Sequence, residues 1–105
     1  MFNVIIGFGL MIATSVAPHG KWVGPTSVES IAVQPNGSVY VELAMNTPKL
    51  GCQKNTSSWL ELDSMSSQFK KQYAMLTSAR LSNRQVEIFV SGCGNYPRAR
   101  TTKIH

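Results

Sequence analysis

Cys52 and Cys93 are the residues whose chemistry constrains this sequence most. Two thiols cannot complete a four-ligand zinc site, and neither His19 nor His105 stands at ligand spacing from them. A single cysteine pair in a small exported domain is usually a disulfide. The sequence therefore predicts a Cys52–Cys93 disulfide, with no metal site and no cofactor.

The remaining polar residues do not form a catalytic pattern. Most carboxylates alternate with apolar residues on predicted strands or precede a predicted helix, which is typical of solvated or capping groups; the carboxylates are Glu29, Glu42, Glu61, Asp63 and Glu87. The two histidines lie beside the N-terminal segment and at the last position, where chains are usually mobile. The sequence contains no Gly-x-Ser-x-Gly motif and no glycine-rich phosphate loop. We therefore expect a binding protein and not an enzyme.

The N-terminal segment indicates export. The chain is almost wholly apolar from Val4 to Val16, and small residues stand at Ala13, Ser15 and Ala17. This run is too short to span a bilayer and fits a secretory signal, although a buried N-terminal strand or helix is the alternative. We expect a signal peptide at residues 1–17 and a single domain at residues 21–105. The protein would be secreted or periplasmic, of bacterial origin, with no membrane span.

Basic residues dominate the charge of the chain. Ten Lys and Arg against five Asp and Glu give a formal net charge of +5 among 105 residues. Such a charge suits an acidic partner, namely nucleic acid, an anionic membrane surface or an acidic sugar, or else it serves solubility alone.

Hydrophobic alternation predicts five short strands. The predicted strands cover residues 27–34, 39–43, 59–62, 85–91 and 99–104. Residues 21–25 look like an irregular segment before the first strand. Asn36-Gly37 predicts a type I′ hairpin turn between the first two strands, because both residues tolerate positive φ angles.

One helix is predicted between the third and fourth strands. Asp63 or Ser64 would cap its start, and Asn83 would end it in the left-handed conformation. Its apolar stripe comprises Met65, Phe69, Tyr73, Leu76 and Ala79. The resulting order, β-β-β-α-β-β, is that of the OB-fold, a five-stranded Greek-key barrel, although other α+β folds share it. We therefore expect a mainly β, OB-fold-like barrel with one disulfide.

From Lys21 onward the chain resembles the B subunits of subtilase-cytotoxin and pertussis-like AB5 toxins. The similarity lies in Lys21-Trp22-Val23-Gly24, in Ser27-Val28 leading to Ile31 and a turn at Gly37, and in Tyr73-Ala74-Met75-Leu76-Thr77. It continues in the strand from Gln85 to Val90 and in Tyr96-Pro97 before a basic last strand. The loop between the second and third strands departs from the family in its cysteine arrangement, and the chain ends soon after the last strand.

The resemblance implies a function and a site. Such subunits are OB-fold proteins that form ring pentamers, bind cell-surface glycans and carry an enzymatic A subunit. A serine before the first strand contacts the terminal sialic acid in that family, and the matching position here is Ser27, or Thr26 if the alignment slips by one residue. Trp22 would complete the glycan contact, and Phe89, which faces away from the predicted core, would suit a subunit interface.

Two other functions are compatible with the sequence. The first is a secreted or periplasmic factor that binds another protein. The second is an OB-type nucleic-acid binder using Arg98, Arg100 and Lys103 with Tyr40 or Phe89, which export and the disulfide make unlikely.

Overall fold

The computed structural model describes residues 20–48, 50–52 and 58–105, so the predicted signal peptide lies outside the described residues. Within this part of the chain, six strands and one helix follow one another. They are β1 (Lys21–Thr26), β2 (Val28–Val33), β3 (Val39–Leu43), β4 (Trp59–Leu62), α1 (Phe69–Leu81), β5 (Val86–Cys93) and β6 (Pro97–Ile104).

The strands form one sheet in the order β1-β5-β6-β4-β3-β2. The pairing of β4 with β6 is parallel, and every other pairing is antiparallel. This arrangement confirms the predicted mainly β, OB-fold-like class with one helix before the last two strands. The sheet has six strands and does not close into a barrel.

The additional strand is β1, which we had predicted to be irregular. Gly24 and Pro25 were misleading because this dipeptide is typical of turns. In the structure Lys21, Trp22 and Val23 pair with β5, and a register shift carries the pairing on to Thr26 and Val86. Gly24 lies within this shift, and its φ of +114° belongs to the region that favours glycine.

The predicted hairpin between β2 and β3 is confirmed, but its turn is not type I′. Gly37 has a φ of +91°, whereas Asn36 is not among the residues with positive φ. The N–H of Gly37 donates to the carbonyl of Gln34 at 2.9 Å, which closes a tight turn with Pro35 at its second position. Proline fixes its own φ near −65°, a value that a type I′ turn cannot use at that position.

The helix begins later than predicted. Asp63 accepts a hydrogen bond from the N–H of Met65 at 3.0 Å, and Ser66 accepts one from the N–H of Gln68 at the same distance. These side chains therefore stabilise local turns at residues 64–68, which displace the first predicted helical turn. Met65 consequently lies outside the helix and is 91% exposed. Asn83, with a φ of +57°, ends the helix region in the predicted left-handed conformation.

The inner face of α1 also differs from its predicted apolar stripe. Leu76 and Ala79 are buried as expected, but Tyr73 is exposed and Gln72 is buried in its place. Gln72 is tolerated there because its Nε2 donates to the carbonyl of Arg100 at 2.7 Å.

The core lies between α1 and the inner face of the sheet. It is built from alternate strand residues, as the sequence pattern predicts. Fully buried members include Val41, Leu60, Leu76, Val86, Ile88 and Val90.

The predicted disulfide is confirmed. Cys52 precedes β4, Cys93 is the last residue of β5, and their Cα atoms lie 5.4 Å apart. The bridge joins segments separated by 41 positions in sequence and ties the loop before β4 to the distal end of β5.

Replacing both cysteines with Ala should lower the free energy of unfolding by about 4 kcal/mol, because the open chain gains loop entropy in the unfolded state. Chemical denaturation of wild type and variant under non-reducing conditions measures this difference. Addition of a reductant should bring the wild-type midpoint to that of the variant. A variant as stable as the oxidised wild type would show that the bridge does not stabilise the fold.

Candidate functional site

Ser27 lies at the junction of the two edge strands. Thr26 and Val28, on either side of it, are only 4% and 7% exposed. Because strand side chains alternate, Ser27 projects toward the outer face, where it is half-buried. Its carbonyl accepts the N–H of Ala44 at 3.0 Å, which fixes the backbone at this point. Among the described residues its hydroxyl has no hydrogen-bond partner, so it is available to a ligand.

Thr26, the alternative position for the sugar contact, is oriented toward the interior. Its Oγ1 donates to the carbonyl of Ser27 at 3.5 Å. A ligand on the outer surface therefore meets Ser27 before it meets Thr26.

Trp22 and Phe89 form an aromatic pair on the outer face of β1 and β5. They are direct cross-strand partners, with ring centroids 5.5 Å apart and an angle of 59° between the ring planes. The Nζ atom of Lys103 lies 4.8 Å from the centroid of the Trp22 ring, within reach of a cation–π interaction. Trp22 nevertheless remains 50% exposed. This surface combines a large aromatic area with a positive charge.

The structure separates Trp22 from Ser27. Trp22 pairs with Phe89, whereas Thr26, next to Ser27, pairs with Val86 at the start of β5. Trp22 and Ser27 are five positions apart, which corresponds to up to about 16 Å along an extended strand. The residues predicted from the sequence therefore lie on two surfaces, the junction around Ser27 and the aromatic pair of Trp22 and Phe89.

Glu87 links the aromatic pair to the end of β6. Its carboxylate lies 2.8 Å from Nε2 of His105 and 3.5 Å from Nζ of Lys103. The hydrogen bond from His105 is the main reason that the pKa of Glu87 lies below its ordinary value, and Lys103 lowers it further. The ion pair with Glu87 therefore holds the Lys103 amine beside the Trp22 ring.

A second polar cluster fixes the loop between β5 and β6. The Glu61 carboxylate accepts the N–H groups of Asn95 at 2.9 Å and Tyr96 at 3.5 Å. Asn95 also donates to the hydroxyl of Tyr40 at 3.1 Å, and the Tyr40 and Tyr96 rings pack edge to face at 5.1 Å. This cluster is satisfied internally, which indicates a structural role.

Two further acidic groups, Asp63 and Glu42, are also engaged. Asp63 pairs with Arg100 at 2.9 Å, and Glu42 accepts the hydroxyl of Ser30 at 2.8 Å. The hydrogen bond from the N–H of Met65 is the main cause that lowers the pKa of Asp63. Within the described residues no three His, Cys, Asp or Glu side chains converge as metal ligands. In the same part of the chain, no helix has the length and apolar character needed to cross a membrane.

The sequence analysis did not single out Arg80 or Arg84 as candidate site residues. The Nε of Arg80 donates to the carbonyl of Glu29 at 3.1 Å, and the Nε of Arg84 donates to the carbonyl of His105 at 2.7 Å. The Arg80 guanidinium forms no ion pair with a carboxylate of the described residues. The only sequence signal was a basic residue in the last helical turn, which commonly serves the helix dipole alone.

Comparison with known proteins identifies a shared fold. No protein-family model and no curated protein matches the sequence. Among solved structures, the cholera toxin-like B-subunit from Citrobacter freundii is similar, with a TM-score of 0.62 and 8% sequence identity. The match covers 83% of this chain and 87% of that one. The chain therefore has a toxin B-subunit-like fold. This confirms the general type of fold that the sequence resemblance implied.

Replacing His105 with Ala should raise the pKa of Glu87 toward its ordinary value of 4.5. A depressed carboxyl pKa stabilises the folded protein above the ordinary value, and this contribution is lost as pH falls through the folded-state pKa. The variant should therefore lose less stability than wild type as the pH falls below 4.5. A carbon-detected NMR titration of the Glu87 carboxyl measures the shift directly. A larger rise in Lys103→Met than in His105→Ala would show that Lys103 is the dominant partner.

Proposed function

We propose that this protein is an exported binding module of the toxin B-subunit type that recognises a sialic-acid-type glycan on a cell surface. The observation that supports this most strongly is the fold shared with a toxin B subunit over most of both chains. A fold of this kind hosts more than one function, so the site has to supply the specificity.

The junction around Ser27 supplies the proposed glycan contact. Its outward hydroxyl lies on a fixed backbone between two edge strands, and the net charge of +5 favours an acidic ligand. Because Thr26 is buried, we assign the contact to Ser27 in this proposal.

The proposed setting is a secreted or periplasmic bacterial protein whose signal peptide spans residues 1–17. The bridge between Cys52 and Cys93 is compatible with an oxidising compartment. We propose that an enzymatic A subunit accompanies the module, and that the module itself binds without catalysing a reaction.

We further propose that the module assembles as a homopentameric ring, in which Trp22 and Phe89 form the subunit contact. Their half-exposed aromatic surface has the composition that interface centres favour. An asymmetric patch on one side of the molecule suits a head-to-tail contact, which closes into a ring when its rotation permits.

Replacing Ser27 with Ala should weaken binding to sialylated glycans by about 10- to 100-fold, the effect of losing a hydrogen bond to a charged group. A glycan array followed by titration of the best ligand measures this change. Ser64→Ala, an exposed serine in the turn before α1, is the matched control and should bind as wild type does. Equal binding by wild type and Ser27→Ala would remove Ser27 from the site.

Native mass spectrometry should show a complex of five copies that Trp22→Glu dissociates, because a carboxylate would be buried in the contact. Val33→Glu is the control, since Val33 is exposed on β2, away from the aromatic pair. A monomeric wild type would contradict the ring. Dissociation by Val33→Glu alone would place the contact on β2.

A further inference from the structure

The tip of the hairpin between β2 and β3 carries an asparagine that is followed by glycine. Asn36 is the one asparagine in the sequence whose next residue is glycine. Both residues are exposed, and a Cβ atom at Gly37 would meet no atom within 4 Å. Side chains from the rest of the described chain therefore do not crowd the backbone at Gly37.

The Asn36 side chain is folded back over the backbone that follows it. Its Oδ1 accepts a hydrogen bond from the N–H of Ser38 at 2.9 Å. This contact bridges across Gly37 and so holds the side-chain carbonyl next to the Gly37 nitrogen, with which it can close a five-membered ring. The contact also polarises that carbonyl, because an N–H donor stabilises the negative charge that develops on the oxygen when a nucleophile attacks the carbon.

One hydrogen bond opposes attack by the Gly37 nitrogen. Its N–H donates to the carbonyl of Gln34 at 2.9 Å, so the nitrogen becomes free when the tip of the turn opens. This opening can be local, because the bond from the N–H of Gln34 to the carbonyl of Ser38, at 2.7 Å, lies at the base of the turn and can remain. Openings at exposed loop tips cost far less free energy than global unfolding.

The other described asparagines lack this combination. Asn95 is also exposed, but the N–H of the residue after it, Tyr96, is held by the Glu61 carboxylate at 3.5 Å. Asn46 and Asn83 are followed by threonine and arginine, whose side chains hinder access to their own backbone nitrogen. The hairpin tip is therefore the place in the described chain where a polarised amide meets an unhindered backbone nitrogen.

We propose that Asn36 is a modification site at which the protein deamidates without an enzyme. Solvent base removes the proton of the Gly37 amide, and the nitrogen attacks Cγ of Asn36. The bond from Cγ to the side-chain nitrogen breaks, and that nitrogen takes up a proton and leaves as ammonia. Water then hydrolyses one of the two ring bonds of the succinimide. Opening at Cγ gives aspartate, and opening at the backbone carbonyl of Asn36 gives isoaspartate.

The modification alters both the charge and the turn. Each product carries a carboxylate, so the formal net charge falls by one unit from +5. In isoaspartate the backbone is longer by one carbon, which displaces Gly37 from the bond to Gln34 that closes the turn. Because β2 is an edge strand held in the sheet through β3 alone, a loosened turn should destabilise this edge.

The test incubates the folded, oxidised protein in neutral and in mildly alkaline buffer and follows each asparagine by peptide mapping with mass spectrometry. Electron-transfer fragmentation distinguishes aspartate from isoaspartate, and ion exchange isolates the more acidic products. We expect Asn36 to convert before Asn46, Asn83 and Asn95, at a rate that rises with the hydroxide concentration. The isolated isoaspartate form should have a lower thermal denaturation midpoint than wild type.

Two variants test the assignment. Gly37→Ala places a methyl group beside the attacking nitrogen and should slow the conversion of Asn36 several-fold. Asn36→Asp is the matched control for charge, since it has the carboxylate of the product on an unaltered backbone; it should keep the wild-type denaturation midpoint.

The order of conversion and the effect of the methyl group decide the outcome. An intact Asn36 while another described asparagine converts would overturn the proposal, as would equal rates in wild type and folded Gly37→Ala. The φ of +91° at Gly37 favours glycine, so circular dichroism has to show that Gly37→Ala is folded. If it is not folded, the order of conversion among the asparagines of wild type decides alone.

Discussion

The arrangement of this molecule depends on how one extended segment changes partners at Ser27. Before this residue β1 pairs with β5, and after it β2 pairs with β3, at the opposite side of the sheet. A single stretch of chain therefore forms both edges of the sheet. Gly24 permits this course because a Cβ atom at that position would lie 2.5 Å from the carbonyl oxygen of Val86, closer than atoms approach in real structures. The surface at Ser27 exists because the backbone turns away from one sheet edge and joins the other.

The remaining constraints hold that geometry from both sides. α1 covers the inner face through Leu76 and Ala79, and the bond from Gln72 to Arg100 connects it to β6. The disulfide fixes the far end of β5, and Glu61 fixes the loop that follows. Because rigid elements hold the candidate surfaces, a ligand would meet side chains that are already in place.

Local chemistry explains which parts of the structure the sequence could predict. Hydrophobic alternation predicted the strands that contain Val41 and Ile88, because alternation depends only on neighbouring residues. The cysteine count predicted the disulfide, because two cysteines allow a single pairing. The predicted start of α1 was wrong, because Asp63 and Ser66 stabilise turns as readily as they cap a helix. β1 was missed, because only its pairing with β5 makes residues around Gly24 extended.

The same distinction applies to the candidate site. Strand alternation alone predicts that the Phe89 side chain points outward. The candidate role of Ser27 in glycan binding comes from the family resemblance. In contrast, the pairing of Trp22 with Phe89 depends on the register between β1 and β5. The proximity of Arg80 to Glu29 depends on how α1 packs against β2, and no spacing in the sequence encodes that contact.

The distribution of charge favours recognition over catalysis. Glu87 and Asp63 are each held by donors from neighbouring elements. A carboxylate engaged in this way has its charged form stabilised, which opposes the raised pKa that a general acid requires. The cations that have no carboxylate partner among the described residues include Arg80, which is fixed by a backbone carbonyl. A surface with an anchored guanidinium that lacks a carboxylate partner would favour anionic ligands. This property is in keeping with the proposal that the module binds an acidic glycan.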